Sequence, residues 1–406
     1  MSQRTSPEQS PPLKLAQDAA IAMGLGAALL VVFGIDALRP KPPQNAVVPP
    51  IEVHEVEQTE EVVPEPKPLR LAVTTPEYDD MGKLLDTLGS GYQYKTITIE
   101  QLLDPESFKD LDVLFLTCGT VPESWCEAEL GDAERPGTRS VKLKPEVSER
   151  RGKNLRDFVE KGGTLYASDL QMGAIIDGFR EFVDPTLLHS GKKQKVEAQA
   201  VDQGLAQVIG PKLELEFDMP GWYSAGFRPD KSQVLVRGTF ETSQSEQVEA
   251  PLLVRFSVGQ GNVIFTSFHN EKVNSQIEQA LLRYLVFTSV MAKTEAKVTS
   301  TLVAGGFSPT SRSLLSTSKD SPEVRQTYHC KQAGPLKFAL GFEERGAKLK
   351  LSVVGPKGEK FEQEGTSSFT IDVPDATVGD WQYTVTALRV PFENFPFNLS
   401  IAEKSK

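Results

Sequence analysis

The chain has 406 residues, 39% hydrophobic and 24% charged, a composition ordinary for globular proteins and a length sufficient for two or three domains. Its net charge of −11 argues against a nucleic-acid partner, because the phosphate backbone repels an acidic surface. The three cysteines, Cys118, Cys126 and Cys330, form no CxxC pair, and only four histidines are present. The sequence therefore predicts neither a disulfide framework nor a metal site, and no cofactor.

The N-terminal region contains an apolar run without a charged residue from Ala19 to Ile35. A membrane-spanning helix needs about 17–25 apolar residues, so we predict a transmembrane helix over 19–38, preceded by a tail at 1–18. A cleaved signal peptide is the alternative, but no A-x-A cleavage site follows the run. Membrane lipid is thus a predicted partner of this helix.

A proline- and glutamate-rich segment follows the predicted helix at residues 39–68. It holds eight prolines and six glutamates. Proline fixes φ and like charges repel one another, so the segment is predicted to be a disordered, extended tether. A stalk of this kind favours an extracytoplasmic position for the bulk of the chain.

Alternating strand and helix patterns indicate an α/β domain over 69–292. Helix-spaced apolar residues occur over Met81–Leu88, around Leu155 and Phe158, and from about Lys272 onward. Alternation of this kind is typical of a mostly parallel sheet covered by helices on both faces. Strands are predicted at 69–74, 94–99, 113–117, 164–167, 196–201, 213–217, 234–238, 252–258 and 262–267.

Three strings in this domain, DVLFLTCG, GGTLYASD and GNVIFTSFHNE, resemble the class I glutamine amidotransferase-like superfamily. The resemblance implies a flavodoxin-like sheet whose third strand ends in an oxyanion loop, here Cys118 and Gly119. It also implies a nucleophile elbow after the next core strand, here Ser168. A late strand carries His-x-Glu in that superfamily, here His269 and Glu271. Together these residues predict a Ser-His-Glu arrangement for acyl transfer.

Several residues depart from the superfamily pattern. An elbow favours small residues two positions either side of the nucleophile, and this sequence has Tyr166 and Leu170 there. Asp169 follows the predicted nucleophile, and its charge would oppose a developing oxyanion. His269 and Glu271 would face the same way on a strand, so they also fit a structural brace at the strand end. These departures favour a non-catalytic member of the superfamily, and whether the chain is an enzyme stays open.

The C-terminal part is predicted to be a Ser/Thr-rich linker at 293–327 followed by a small β-sandwich at 328–406. The strings GDWQYTVTA and FPFNLSI resemble bacterial prepeptidase-C-terminal-like domains. Trp381 and Tyr383 are interpreted as core residues rather than as a carbohydrate platform. Strands are predicted at 336–340, 348–353, 368–373, 382–387 and 397–401.

Taken together, the sequence predicts a single-pass protein of the bacterial inner membrane that acts as a non-catalytic scaffold or ligand sensor. Its predicted partners are other proteins of a membrane assembly. Two alternatives stay open: a Ser168-dependent hydrolase or peptidase of the same superfamily, and a carbohydrate-binding surface protein.

Overall fold

The computed structural model of the chain describes residues 68–127, 142–224, 226–268, 276–317 and 322–404, all within one compact unit. The predicted tail, transmembrane helix and nearly all of the tether lie outside these residues and stay predictions. None of the helices in the described ranges is long and apolar enough to cross a membrane.

A nine-stranded mixed sheet forms the centre of the first domain, in the order β2-β1-β3-β4-β9-β8-β7-β5-β6. Strands β2, β1, β3, β4 and β9 run parallel, and the remaining pairs are antiparallel. The strands are β1 Leu71–Thr74, β2 Tyr94–Ile97, β3 Val113–Leu116, β4 Thr164–Ser168, β5 Gln194–Ala200, β6 Lys212–Phe217, β7 Gln233–Glu241, β8 Gln247–Val258 and β9 Gly261–Thr266.

The prediction of a mostly parallel, flavodoxin-like sheet is therefore wrong for half of the strand pairs. Val258 pairs with Gly261 across a tight turn, so β8 and β9 form a hairpin in which Gly259 adopts a positive φ of 58°. Strand β6 alternates buried and exposed residues along its length. This alternation is typical of an antiparallel strand with one solvated face.

Helices cover both faces of the sheet and enclose two cores. One core includes Leu85 of α1 and Leu285 of α5, and the other includes Leu155 of α2 and Ile175 of α3. The helix α1 begins after Asp80, whose carboxylate accepts a hydrogen bond from the Lys83 amide. The helices are α1 Met81–Leu88, α2 Pro145–Glu160, α3 Met172–Phe179, α4 Gln203–Ile209 and α5 Gln276–Ala304.

Residues 293–327 do not form the predicted linker. Helix α5 continues through the first third of this range, and strand β10 (Phe307–Thr317) follows directly after it. Val298 and Leu302 lie one turn apart on α5 and are buried against Ala339 and Ala402 of the C-terminal domain. The abundance of Ser and Thr misled the prediction, because threonine packs well in strands and apolar spacing continued along the helix.

The C-terminal domain consists of two four-stranded antiparallel sheets, β10-β17-β12-β15 and β11-β16-β13-β14. Trp381 and Tyr383 are 0% and 2% exposed in the core between the sheets, so neither can form a carbohydrate platform. The remaining strands are β11 Glu323–Cys330, β12 Gly334–Gly341, β13 Lys348–Val354, β14 Lys360–Gly365, β15 Phe369–Ala376, β16 Gly379–Arg389 and β17 Phe395–Lys404.

The two domains are packed directly against each other. The Tyr92 hydroxyl donates a 2.6 Å hydrogen bond to the Asn394 carbonyl, and the Asn394 side chain donates to the Leu88 carbonyl at 2.9 Å. The ring of Phe392 lies edge-on to that of Tyr92, with 5.7 Å between ring centroids. These contacts and the continuous helix α5 make the two domains one structural unit.

Candidate functional site

A cluster of buried polar residues lies at the carboxyl edge of the parallel strands. Asp79 follows β1, Cys118 and Gly119 follow β3, and Ser168 and Asp169 lie at the end of β4. Because β1, β3 and β4 are neighbours in the sheet, their carboxyl ends meet at the same edge. In open α/β sheets this edge is where ligands usually bind. It is the candidate functional site of the first domain.

Ser168, the predicted nucleophile, is fully buried at the end of β4. Its hydroxyl donates a 2.6 Å hydrogen bond to Oδ2 of Asp79 and accepts a 2.9 Å hydrogen bond from the Cys118 amide. Its backbone is extended, with φ −123° and ψ 140°. Both the proton and a lone pair of the hydroxyl are thus used within the protein, and the backbone lacks the strain of an elbow.

The strained residue at the end of β4 is Asp169, one position later than predicted. Its φ is 43°, in the left-handed region that aspartate tolerates better than most residues, and a short 3-10 turn leads on to α3. Its Oδ1 accepts a 3.0 Å hydrogen bond from the Tyr223 amide, and the Cys118 thiol lies 3.7 Å from Oδ2. The prediction that Ser168 occupies the elbow is therefore corrected to Asp169.

The thiol of Cys118 is held in its protonated form. Burial raises the pKa of Cys118, and the neighbouring carboxylate of Asp169 raises this pKa further. A thiolate is the nucleophilic form of cysteine, so a raised pKa makes this residue unreactive at neutral pH. The geometry indicates a structural role for this thiol.

The predicted oxyanion loop has its amides occupied by protein acceptors. The Cys118 amide donates to Ser168, and the Thr120 amide donates to Oε2 of Glu77 at 2.6 Å. The carbonyl of Gly119 accepts a 3.0 Å hydrogen bond from the Gln171 side chain, which fixes the loop from the opposite side. An oxyanion hole requires amides aimed at the reacting oxygen. These two amides are directed elsewhere.

His269 and Glu271 lie outside the described residues, so their approach to Ser168 stays a prediction. Strand β9 ends at Thr266, whose hydroxyl donates to the Phe268 carbonyl at 2.8 Å. Within the described part of the chain, no group of three or more His, Cys, Asp or Glu side chains could hold a metal ion.

Asp79 and Glu77 belong to this site but were not predicted from the sequence. Both lie in the loop after β1, in the string TTPEYDD. Acidic residues directly after the first strand of an α/β domain are placed at its carboxyl edge, so their position was the available signal. Asp79 is 2% exposed and accepts the Ser168 proton.

Comparison with protein-family models and with curated proteins finds no match. Solved structures with a similar chain course include a putative GMP synthase component from Thermoplasma acidophilum (11% identity, 57% of this chain, 98% of that chain, TM-score 0.35). They also include PurLQS from Thermotoga maritima (14% identity, 54% of this chain, 100% of that chain, TM-score 0.34). A beta-galactosidase from Bacillus circulans sp. alkalophilus is similar over 78% of this chain and 41% of that chain, at 10% identity and a TM-score of 0.32. Likenesses this distant carry no inference about activity.

Proposed function

We propose that this chain is a membrane-anchored, non-catalytic protein of the class I glutamine amidotransferase-like superfamily, whose α/β domain serves as a scaffold or ligand sensor. The observation that carries the proposal is the hydrogen bonding of Ser168. Its hydroxyl joins Asp79, after β1, to the Cys118 amide, after β3, and so ties three strand ends together. This is the arrangement expected of a structural serine.

A Ser168-dependent hydrolase would need a different arrangement. Its serine would have to be accessible, on a strained turn, and close to free backbone amides. Ser168 is 0% exposed and has extended backbone, and the Cys118 amide already donates to its oxygen. The strained position instead holds Asp169, whose negative charge disfavours an oxyanion nearby.

The membrane part of the proposal is supported by sequence alone. The uncharged run from Ala19 to Ile35 has the length of a short spanning helix, and the tether after it gives the folded domains reach from the bilayer. In this proposal the chain crosses the bacterial inner membrane once, with its bulk outside the cytoplasm, and its partners are other proteins of a membrane assembly.

The proposal is tested by replacing Ser168 with alanine and measuring the free energy of unfolding in urea. Ser168→Ala leaves the buried Asp79 carboxylate and the Cys118 amide each without one partner, and we expect a loss of about 1–3 kcal/mol. Ser124→Ala is the matched control, because Ser124 is exposed and its hydroxyl makes no hydrogen bond among the described residues. A Ser168→Ala protein as stable as the control would contradict a structural serine.

A further inference from the structure

A second cleft, distinct from the site at the carboxyl edge, lies between the sheet and helix α5. It has a volume of about 570 Å³ and is lined by residues of β8, β9, α5 and β10. Volumes of about 300–1,000 Å³ are typical of small-molecule sites. Asn262, at the amino-terminal end of β9, lines this cleft, whereas Ser168 pairs with the carboxyl-terminal end of the same strand.

One face of α5 forms a wall of the cleft. Thr288, Ala292, Glu295, Thr299 and Val303 all line it, and their spacing of three or four residues places them on a single helical face. Alanine and threonine are short, so this face leaves space between the helix and the sheet. The apolar part of the lining is completed by Phe256, Ile264 and Ala296.

The charged side chains in the lining are mostly cationic. Lys231, Arg255 and Arg312 line the cleft against a single carboxylate, that of Glu295. Arg255 is occupied, since it donates twice to Glu295 and its Nε donates to Gln233. Arg312 makes one hydrogen bond, of 3.0 Å to Oε1 of Glu295, and its other donors have no partner among the described residues. An acidic protein thus has a basic cleft.

Two buried hydroxyl groups in the same lining also lack acceptors or donors. Oγ1 of Thr288 and Oγ1 of Thr299 have no hydrogen-bond partner within the described ranges, and Thr288 as a whole is 1% exposed. Thr299 lies one helical turn after Glu295, the residue to which Arg312 donates, so Thr299 and Arg312 lie close together. Buried polar groups without a partner cost stability, which a ligand oxygen at this position would offset.

We propose that this cleft binds a small organic carboxylate with an apolar body. Arg312 and the Thr299 hydroxyl hold the carboxylate group, because guanidinium geometry matches a carboxylate and the hydroxyl supplies a further donor. The apolar body lies against Ile264, Ala292 and Ala296. The inference is independent of the proposed function, since it uses none of the residues at the carboxyl edge.

The test uses the full chain in lipid nanodiscs, titrated with 4-phenylbutyrate in a calorimeter, with empty nanodiscs as the reference. We expect saturable binding at a single site, and no comparable binding of 4-phenylbutylamine, which has the same apolar body and the opposite charge. Arg312→Gln should weaken binding at least about tenfold, which corresponds to 1.4 kcal/mol. Thr299→Val, which keeps the shape and removes the hydroxyl, should also weaken it.

Two further variants separate the cleft from the rest of the surface. Ala296→Trp should abolish binding by filling the cleft from an exposed position on α5. Arg325→Gln is the control, since Arg325 is exposed on β11 and does not line the cleft, and its affinity should equal that of the unmodified chain. The proposal is overturned by an absence of saturable binding at millimolar 4-phenylbutyrate, by equal binding of the amine, or by unchanged affinity in Arg312→Gln or Ala296→Trp.

Discussion

Replacing Glu295 with glutamine should destabilise the whole folded unit. Glu295 lies on α5 with its side chain 7% exposed, and it pairs with Arg255 of β8 and Arg312 of β10. It therefore joins the sheet of the first domain to the C-terminal domain. Glu295→Gln keeps the shape of the side chain and removes the charge that both guanidinium groups require.

The magnitude follows from the burial of each arginine. Arg255 has a side chain only 15% exposed and donates to both oxygens of Glu295 at 3.0 Å. Leaving such a charge without its partner costs about 3–5 kcal/mol. Arg312 is 34% exposed, so solvent screening limits its share to about 1 kcal/mol or less. Against a typical total stability of about 5–15 kcal/mol, the expected loss of about 3–5 kcal/mol is large.

Urea denaturation followed by circular dichroism measures this loss. Glu249→Gln is the control, because the exposed pair of Arg237 and Glu249 should change stability by no more than about 0.5 kcal/mol. The double variant Arg255→Met/Glu295→Leu should recover much of the loss, since it removes both buried charges together. A Glu295→Gln protein within about 1 kcal/mol of the unmodified chain would refute the reasoning from burial.

The same ion pair should make stability depend on pH. Burial acts to raise the pKa of Glu295, but the charges and hydrogen bonds of Arg255 and Arg312 outweigh it and hold this pKa below its ordinary value. A carboxylate whose pKa is lowered in the folded state contributes stability that is complete above the unfolded pKa, about 4.3, and is lost as the pH falls below it. In Glu295→Gln this part of the acid destabilisation should be absent.

The remaining predictions concern domain coupling and the membrane. Limited proteolysis should produce no cleavage between Gln276 and Thr317, because α5 and β10 follow each other directly there; two resistant fragments separated within that range would show that the domains are independent. Leu29→Arg should move the chain from the membrane to the soluble fraction, since a central charge costs a spanning helix about 2.5–3.5 kcal/mol. A chain lacking residues 1–40 that still sediments with membranes in high salt would contradict the single anchor.

Much of the first domain could be predicted from the sequence, because its signals are local. The helix Met81–Leu88 and the strands around Val113 and Thr164 follow from apolar periodicity and from the glycines that end them. The direction of the strands beyond β9 could not be predicted in this way. Buried strands look alike in either direction, and only the short turn at Gly259 marks the change to antiparallel pairing.

The candidate site was only partly predictable for a related reason. The strand ends at Cys118 and Ser168 were located, but hydrogen-bond direction and backbone strain depend on residues brought together by the fold. Asp79 lies 89 positions from Ser168 in the chain and decides what the serine hydroxyl does. The one-residue difference between Ser168 and the strained Asp169 likewise depends on the φ of the turn, which the sequence leaves open.

The central claim, that Ser168 is structural, is tested most directly by covalent labelling. The full chain is incubated with a fluorophosphonate, which phosphonylates activated serines, and its intact mass is measured beside that of a serine hydrolase treated in the same way. We expect no adduct on this chain, since the Ser168 hydroxyl is buried and donates to Asp79. A stoichiometric adduct on Ser168 that disappears in His269→Ala would contradict the claim and establish the hydrolase instead.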